Sequence, residues 1–270
     1  MSSFPVTKNE GEVLRYMCKF ILNLFAITIV LTAFACGDNA TEQTSTSEIK
    51  HEQVRQYLLE HPELVLDDPE IAYSISRARS KREHEIETFQ RKSVIEEQAD
   101  LLNSPLTPSS GHTNSVVTLI EFYDYQCPPC KANYPELEQM RASETDVRII
   151  YGQLPIFGSQ SILAARAAIA AHRQGLFDAY HTALMTTDTP LNIDLIFAMS
   201  AEVGLNLKKL QADMRDPQVI QYLEEMRLLA ESLNVTGTPT YIVGGAILRG
   251  GTTVEELKAE LQRQRAQSGK

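Results

Sequence analysis

The sequence predicts an α/β fold with an inserted helical domain, preceded by a polar helical segment. The first indication is the run from Val116 to Phe122, which is almost continuously apolar, as in a strand buried on both faces. The second is a long stretch of helical spacing over about residues 158–233. The third is the segment from Thr240 to Arg249, which indicates a hairpin through Gly244-Gly245.

The composition is that of a largely globular protein. Of its 270 residues, 43% are hydrophobic and 22% are charged, which is enough apolar material to bury a core. The length suits one sizeable core with appendages or two modest domains. The formal net charge of −10 argues against a nucleic-acid partner, because such a partner would require a basic face.

The beginning of the chain has the pattern of an export leader. The apolar run from Ile21 to Ala35 is shorter than the roughly twenty residues that a membrane-spanning helix needs. Arg15 and Lys19 precede it and small residues end it, as in a secretory signal. A start at Met17 would give this leader normal proportions, so we expect translation to begin there.

The end of the leader allows two interpretations. Ala33-Phe34-Ala35-Cys36 resembles the lipobox at which bacterial lipoproteins are cut and lipidated on the cysteine. The same residues also satisfy the A-x-A pattern of plain signal-peptidase cleavage. Either interpretation predicts export to an oxidising compartment, the bacterial periplasm or cell envelope, with an anchor at lipidated Cys36 in the first case.

A polar region separates the leader from the domain. From Glu48 to about Leu102 the spacing is helical with few apolar residues, and a bend is expected at His61-Pro62. This segment cannot bury a core alone, so it is either a solvated helix packed on its own domain or an oligomerisation segment. The predicted organisation is a leader (1–36), a flexible tether (37–47), an N-terminal helical segment (48–103), a linker (104–114) and a main domain (115–270) with its insertion at about 158–233.

Start and stop residues mark the helices of the main domain. Gly175 is a helix stop, and Asn192 can cap the next helix. Asp216-Pro217 opens another helix with a cap and a first-turn proline, and Thr253 and Glu256 have capping-box spacing for a terminal helix. The resulting order, β-α-β, helices, β-β-α, is that of a thioredoxin-like fold with a helical insertion.

A Cys-x-x-Cys pair stands between the first strand and the first helix, in the run Cys127-Pro128-Pro129-Cys130. It could be half a zinc site, a structural disulfide or a redox dithiol. Zinc needs four ligands, but there is no second such pair and no histidine at a matching spacing. A disulfide that closes so small a loop would stabilise the fold little. The redox interpretation fits the position between strand and helix.

That position predicts the chemistry of the two thiols. Cys127 lies at the helix start, where unpaired N–H groups and the helix dipole stabilise negative charge and should lower its pKa. The thiolate attacks a disulfide sulfur, and Cys130, one turn along, resolves the mixed disulfide. Pro128 suits the first helical turn, where its missing N–H has no partner.

Pro129 is the unusual one of the two residues between the cysteines. It removes a further N–H near the Cys127 sulfur and biases Pro128 away from helical geometry. Both effects should leave the thiolate less stabilised than with a histidine at this position. We therefore expect a milder oxidant than the strongest members of this class, for which the cysteine pKa is about 3.5.

Two further residues are ambiguous from the pattern alone. Glu121 is either a desolvated carboxyl inside the strand, able to exchange a proton with Cys130, or a carboxylate at the exposed end of the strand. Thr238-Pro239 is either an ordinary turn or a cis peptide. His172 and His181 are expected to be partly exposed helix residues and receive no role.

With these residues in place, the chain resembles the DsbA family of thioredoxin-fold proteins and, within it, the lipoprotein and ScsC-like branch. The resemblance covers roughly Glu48 to Gln264. Its strongest parts are VVTLIEFYDYQCPPC, GSQSILAARAAIAAHRQGLFDAYHTALM and LNVTGTPTYIVGG. The segment HEQVRQYLLEHPEL resembles the N-terminal piece through which ScsC-like members associate into dimers or trimers.

The resemblance implies a role for each site residue. Cys127 becomes the exposed nucleophile, Cys130 the buried resolving thiol and Glu121 the buried acid. Pro239 becomes the cis-proline that faces the cysteines, and Thr238 offers backbone hydrogen bonds to a bound peptide. Substrate contacts are also expected at Pro128 and Pro129. The second proline departs from the branch, which more often has an aromatic residue or a histidine there.

Three function classes stay open. The first is an exported thiol–disulfide oxidoreductase that forms or isomerises disulfides in envelope proteins. The second is a copper- or zinc-handling lipoprotein that uses the dithiol as ligands, although it lacks the methionine or histidine cluster of such a site. Metal retained stoichiometrically by the protein would favour it. The third is a structural envelope lipoprotein with an inert disulfide, which resistance to reduction would favour.

Within the first class, oxidase and isomerase are both open. Two features favour isomerisation: Thr238, and an oligomerisation segment through which the chain would form a homodimer or homotrimer. No soluble cofactor and no metal are implied, because electrons pass by thiol exchange. The expected partners are unfolded or misfolded envelope proteins and a membrane redox partner, which reduces an isomerase or oxidises an oxidase.

Overall fold

The structure, a computed structural model, describes residues 50–112 and 114–269. The chain divides into two compact units, residues 1–79 and residues 80–270. The expectations about the leader, the start at Met17, the tether and the lipidation of Cys36 lie outside the described residues. None of the described helices is long and apolar enough to cross a membrane.

The described part of the first unit is helical. Residues 50–60 form α1, the chain breaks at His61-Pro62, and α2 (Glu63–Leu66) follows before α3 (Pro69–Glu97) begins. Many large apolar side chains of this unit are exposed: Val54, Tyr57, Leu58, Leu59, Leu64, Leu66, Ile71, Tyr73 and Ile75. No residue from 50 to 79 is fully buried.

The second unit is built on a five-stranded mixed sheet with the order β1-β3-β2-β4-β5. The central strands β2 and β3 are parallel, and the other neighbours are antiparallel. The two-residue edge strand β1 lies inside the segment expected as a linker. The strands are β1 (Ser109–Ser110), β2 (Val117–Tyr123), β3 (Val147–Gln153), β4 (Thr240–Val243) and β5 (Ala246–Arg249).

One helix follows β2, five helices separate β3 from β4, and a last helix follows β5. This order and the sheet confirm the predicted thioredoxin-like α/β fold with a helical insertion. A short helix, α4, precedes β1. The helices are α4 (Ala99–Leu102), α5 (Pro128–Ser143), α6 (Ser159–His172), α7 (Phe177–Thr186), α8 (Ile193–Glu202), α9 (Leu207–Asp213), α10 (Pro217–Ser232) and α11 (Val254–Gln267).

The predicted helix and turn signals act as expected. Asn192 accepts a hydrogen bond from Leu195 N at 2.9 Å, and Asp216 caps α10 in the same way. Thr253 and Glu256 form the complete capping box of α11. Gly244 and Gly245 turn the hairpin with φ values of 55° and 88°, which glycine adopts without steric cost.

The two faces of the sheet bury different side chains. On β2, Ile120 and Phe122 point into one cluster, which we call the apolar face because it contains neither cysteine. Leu119 and Tyr123 point into the other cluster, which contains both cysteines and which we call the thiol face. Because side chains alternate along a strand, Glu121 lies on the thiol face.

Candidate functional site

Cys127 is the residue that caps helix α5, and its sulfur is held between two chain segments. Its Sγ accepts a hydrogen bond from Cys130 N at 3.3 Å and lies 3.3 Å from the carbonyl oxygen of Thr238, to which the thiol can donate. Pro128 and Pro129 occupy the first two positions of the helix. Since proline has no N–H, the first helical backbone donor that the sulfur meets is Cys130 N.

The two thiols have opposite acidities. The hydrogen bond from the Cys130 thiol lowers the pKa of Cys127 from 9.0 to about 6; burial opposes this change, and the Cys130 backbone N–H adds to it. The same contact with Cys127, together with burial, raises the pKa of Cys130 far above its ordinary range. Cys127 is therefore the thiolate of the reduced pair at neutral pH, as a nucleophile must be.

The exposure of the pair corrects one expectation. The resemblance implies an exposed Cys127, but both cysteines have 0% exposed surface, and both are in the reduced form. The surface of the motif consists instead of Pro128 and Pro129, which are exposed. The carbonyl oxygen of Thr238 lies 3.3 Å from Cys127 Sγ, so this loop contributes to the burial of the sulfur.

The peptide bond between Thr238 and Pro239 is cis. Pro239 is buried and Thr238 is half-buried beside the sulfur of Cys127. Of the two interpretations that the sequence left open, the structure thus contains the cis peptide. The structure also brings Thr238 to Cys127 across 111 positions of sequence.

Glu121 lies inside β2 with only 5% of its surface exposed, not at an exposed strand end. Its register partners are Tyr151 on β3 and Tyr241 on β4. Burial, followed by the charges of Glu138 and Cys127, raises its pKa from 4.5 to about 8. At neutral pH this carboxyl is therefore mostly protonated, and it can give up or regain a proton near pH 8.

The loop between β2 and α5 is fixed by a carboxylate that the sequence analysis missed. Asp124, 2% exposed, accepts hydrogen bonds from Ile156 N at 2.7 Å, Phe157 N at 3.0 Å and Ser161 Oγ at 2.8 Å. It also accepts one from Gln126 N at 2.7 Å. A short acidic residue directly after a buried strand was the available signal, but three of its four partners are more than thirty positions away in sequence.

A second connection joins the same loop to the helical insertion. Gln153 Nε2 donates to Tyr123 Oη at 2.5 Å, the hydroxyls of Tyr123 and Tyr125 are 3.1 Å apart, and Tyr125 Oη lies 2.9 Å from His181 Nδ1. The His181 ring stacks on Phe177 with centroids 5.1 Å apart. The chain of contacts runs from β3, through the segment before Cys127, to α7.

His181 is buried, contrary to the expectation of a partly exposed residue. It is 3% exposed, and burial lowers its pKa to about 3, so the ring is neutral and suited to accept from Tyr125. His172 is partly exposed, as expected. Spacing on the helix did not separate the two, because the difference comes from the aromatic residues that surround His181.

Lys131, the residue after the pair, ties α5 to the end of α7. Its Nζ donates to the carbonyl oxygens of Leu184 at 2.9 Å and Thr187 at 2.6 Å. Together with Gln126 and Pro128, Lys131 lines an open cleft of about 660 Å³. Within the described ranges, no three His, Cys, Asp or Glu side chains are arranged to hold a metal ion.

The family model described as a DSBA-like thioredoxin domain matches residues 118–262. The matched range contains Glu121, both cysteines of the pair and the Thr238-Pro239 peptide. The similarity thus covers the whole of the site described above.

Solved structures show the same similarity. A thioredoxin-like oxidoreductase from Silicibacter pomeroyi DSS-3 is 36% identical with a TM-score of 0.59, over 62% of this chain and 97% of that one. The catalytic domain of Proteus mirabilis ScsC is 26% identical with a TM-score of 0.58, over 65% and 98%. A periplasmic thioredoxin-like protein from Salmonella enterica serovar Typhimurium is 31% identical with a TM-score of 0.57, over 63% and 95%.

Curated sequences include much longer relatives. The Na(+)/H(+) antiporter NhaA of Herminiimonas arsenicoxydans is 30% identical over 178 residues, which is 63% of this chain and 28% of the relative. The chain spans about a quarter of the length of the first curated relatives that it matches.

Proposed function

Since the chain belongs to the family of DSBA-like thioredoxin domains, we propose that it is a thiol–disulfide oxidoreductase that forms or isomerises disulfide bonds in exported envelope proteins. The observation that carries the proposal is the sulfur of Cys127 at the start of α5, where its pKa is lowered to about 6 beside a Cys130 thiol whose pKa is raised. Such a pair contains one ready nucleophile and one protonated resolving thiol.

The reaction follows from this pairing. In the reducing direction, the Cys127 thiolate attacks a client disulfide, and a mixed disulfide forms as one client sulfur leaves. Cys130 then loses its proton and attacks Cys127 Sγ, which releases the second client sulfur and oxidises the pair. The oxidising direction is the reverse. Glu121, with a pKa of about 8, would take the proton of Cys130 or return it.

The backbone around Thr238 is proposed to bind the client. An extended client segment can hydrogen-bond to this edge next to Cys127, while Pro128 and Pro129 offer an exposed apolar surface. As the client approaches, the Thr238 carbonyl would lose its contact with the Cys127 thiol. Pro239 would keep the carbonyl turned toward the cysteines.

Export to the periplasm is part of the proposal. The leader pattern before Cys36 supports it, and a relative that is 31% identical is periplasmic. A lipid on Cys36 would tether the domain through residues 37–47. A membrane redox partner would then meet the domain at the same membrane.

We propose association into a homodimer or homotrimer through the N-terminal helices. The support is the exposed apolar surface of residues 50–79, where Tyr73 is 68% exposed and Leu66 is 76% exposed. Exposed apolar surface of this extent is commonly covered in an assembly. Together with Thr238, such an assembly favours isomerisation, because several subunits can hold a misfolded client while Cys127 attacks it.

Two assays on the mature protein test the proposed function. The first measures how fast dithiothreitol reduces the disulfides of insulin, and the second measures the recovery of activity from scrambled ribonuclease. We expect acceleration of insulin reduction by wild type, none by Cys127→Ser, and an accumulated client-linked species with Cys130→Ser. Recovery of the ribonuclease would identify an isomerase. A wild type no faster than Cys127→Ser in both assays would contradict the proposed function.

A further inference from the structure

Asp124 is a buried carboxylate, 2% exposed, and each of its two oxygens accepts two hydrogen bonds. Oδ1 accepts from Gln126 N and Ser161 Oγ. Oδ2 accepts from Ile156 N and Phe157 N. Only ionised Asp and Glu side chains accept about four hydrogen bonds and donate none. None of these four donors is a cation that would offset the cost of burying the charge, so the value of the carboxylate lies in the geometry that it imposes.

The hydrogen bonds of Asp124 define the turn that leads into Cys127. Gln126 N closes a side-chain turn on Asp124 Oδ1 at 2.7 Å, and Cys127 N donates to the backbone carbonyl oxygen of Asp124 at 3.1 Å. Cys127 then has the extended backbone of a helix N-cap, with φ of −76° and ψ of 114°. The position of the Cys127 sulfur therefore depends on the Asp124 side chain.

The same turn is tied to the helical insertion by all three residues that precede the nucleophile. Ser161 on α6, which donates to Asp124, also accepts from Gln126 Nε2 at 3.1 Å. Tyr125 Oη lies 2.9 Å from His181 Nδ1 on α7. The insertion thus holds the segment before Cys127 from two of its helices.

The two prolines of the motif make this placement important. Pro128 and Pro129 have no N–H, so among the described residues the Cys127 sulfur has one backbone N–H donor, Cys130 N at 3.3 Å. A helix that began without prolines would offer a displaced sulfur further N–H groups. Here a small displacement loses the single donor, so the sulfur has to be held in place by contacts outside α5.

The charge of Asp124 acts against the thiolate that its geometry supports. Hydrogen bonding from Cys130 lowers the pKa of Cys127, whereas burial and the Asp124 charge raise it. The other titratable groups that interact with Cys127 are Glu121 and Tyr241. If charge were its only contribution, a carboxylate in this place would weaken the nucleophile.

We propose that Asp124 is the positioning residue of the nucleophile, because its carboxylate ties the turn before Cys127 to α6 and so holds the Cys127 sulfur at Cys130 N. The inference rests on the proposed function, in which Cys127 attacks a client disulfide. Asp124 acts through the backbone and is not itself a catalytic residue. Without its carboxylate the turn loosens, the sulfur loses its donor, and less of Cys127 is thiolate at neutral and acidic pH.

The test is the pH profile of Cys127 alkylation by iodoacetamide, followed by mass spectrometry on the reduced mature protein carrying Cys36→Ser. Asp124→Ala removes the charge and every acceptor. Asp124→Asn removes the same charge but keeps one oxygen for Gln126 N and Ser161 Oγ. We expect the midpoint to rise by about one pH unit in Asp124→Ala, which is about a tenfold loss of thiolate at pH 5, and by less in Asp124→Asn.

The comparison of the two variants separates geometry from charge. Loss of the charge alone would lower the midpoint equally in both, because a neutral side chain no longer opposes the thiolate. A midpoint that does not rise in Asp124→Ala, or that is as high in Asp124→Asn, would overturn the proposal.

Asp216 provides the matched control. Its Oδ1 accepts from Gln218 N at 2.9 Å, which is the same kind of turn at the start of α10. Asp216→Ala should therefore leave the midpoint of Cys127 unchanged, even where it lowers stability. A shift as large as that of Asp124→Ala would show a general effect of loosening the fold and would overturn the proposal.

Ser161→Ala keeps the proposal testable if neither Asp124 variant folds. It removes one donor to Asp124 and one acceptor for Gln126, and we expect a midpoint rise of about 0.3 unit, or about a twofold loss of thiolate at pH 5. Ser200→Ala is the control, because Ser200 is equally buried but donates to Ile196 O on α8, and it should cause no shift. No rise in Ser161→Ala would overturn the proposal. A wild-type midpoint near pH 9 would instead contradict the proposed function, because Cys127 would then not be a ready nucleophile.

Discussion

The two faces of the central sheet are buried equally but built differently. On the apolar face, Ile120 and Phe122 are 1% and 0% exposed and pack among other apolar side chains. On the thiol face, equally buried positions hold Glu121 and Tyr241, each with a polar atom that lacks a partner among the described residues. The apolar face also buries a hydroxyl without a partner among the described residues, that of Tyr222, so the contrast depends on Glu121, a buried carboxyl on the same face as the two cysteines. Burying a carboxyl costs stability, which indicates that the thiol face is shaped by more than folding.

The largest change in the free energy of unfolding is expected from a substitution on the apolar face. Phe122→Ala should lower the free energy of unfolding by about 3–5 kcal/mol, because the ring is fully buried and its removal leaves a cavity. The pKa of Cys127 should not change in the fraction that remains folded. Denaturant unfolding followed by circular dichroism measures the loss, since the chain has no tryptophan. Phe122→Leu is the control and should cost less than about 1.5 kcal/mol.

Glu121→Gln should change the pH dependence of stability. Because the folded pKa of about 8 exceeds the ordinary 4.5, the stabilising contribution of the neutral carboxyl is complete below pH 4.5 and is lost as the pH rises through 8. The slope reaches about 1.4 kcal/mol per pH unit. The glutamine variant should show a flatter curve between these pH values when unfolding is measured in a pH series. The same slope in both proteins would mean that the carboxyl is not desolvated.

Pro129→Ala should have the smallest effect. The substitution restores an N–H at the second position of α5, close to Cys127 Sγ, and should lower the pKa of Cys127 by about half a unit. The rate of alkylation by iodoacetamide against pH measures this shift. Pro135→Ala, in the same helix but away from the sulfur, should leave the pKa unchanged. A rise in the pKa of Cys127 on replacing Pro129 would contradict the missing-donor explanation.

Much of the fold and the family could be predicted from the sequence, because the signals that identify them act between residues close together in the chain. Asn192, Asp216 and the pair Thr253 and Glu256 act on the backbone within three positions, so their spacing alone identifies the helix starts. The apolar run of β2 identified the buried strand. The family match confirms the resemblance that was carried by the active-site and Thr238-Pro239 segments.

The remainder of the site depends on contacts between distant parts of the chain. The partners of Asp124 and the burial of His181 arise only when the insertion packs on α5 and its loop. The strand β1 was missed because two serines have no strand pattern until they pair with β3. The burial of Cys127 depends on the Thr238 loop, which a spacing rule cannot place.

The central claim is that the thiol face separates the acidities of Cys127 and Cys130, and a thiolate titration tests it most directly. Absorbance at 240 nm is followed against pH for the reduced mature protein and for Cys127→Ser, both carrying Cys36→Ser so that the two thiols of the pair are the ones titrated. We predict one thiolate with a midpoint near pH 6 in the wild type, no thiolate below about pH 9 in Cys127→Ser, and no ionisation of Cys130 in the same range. A first midpoint near pH 9, or two thiols that ionise together, would contradict the account.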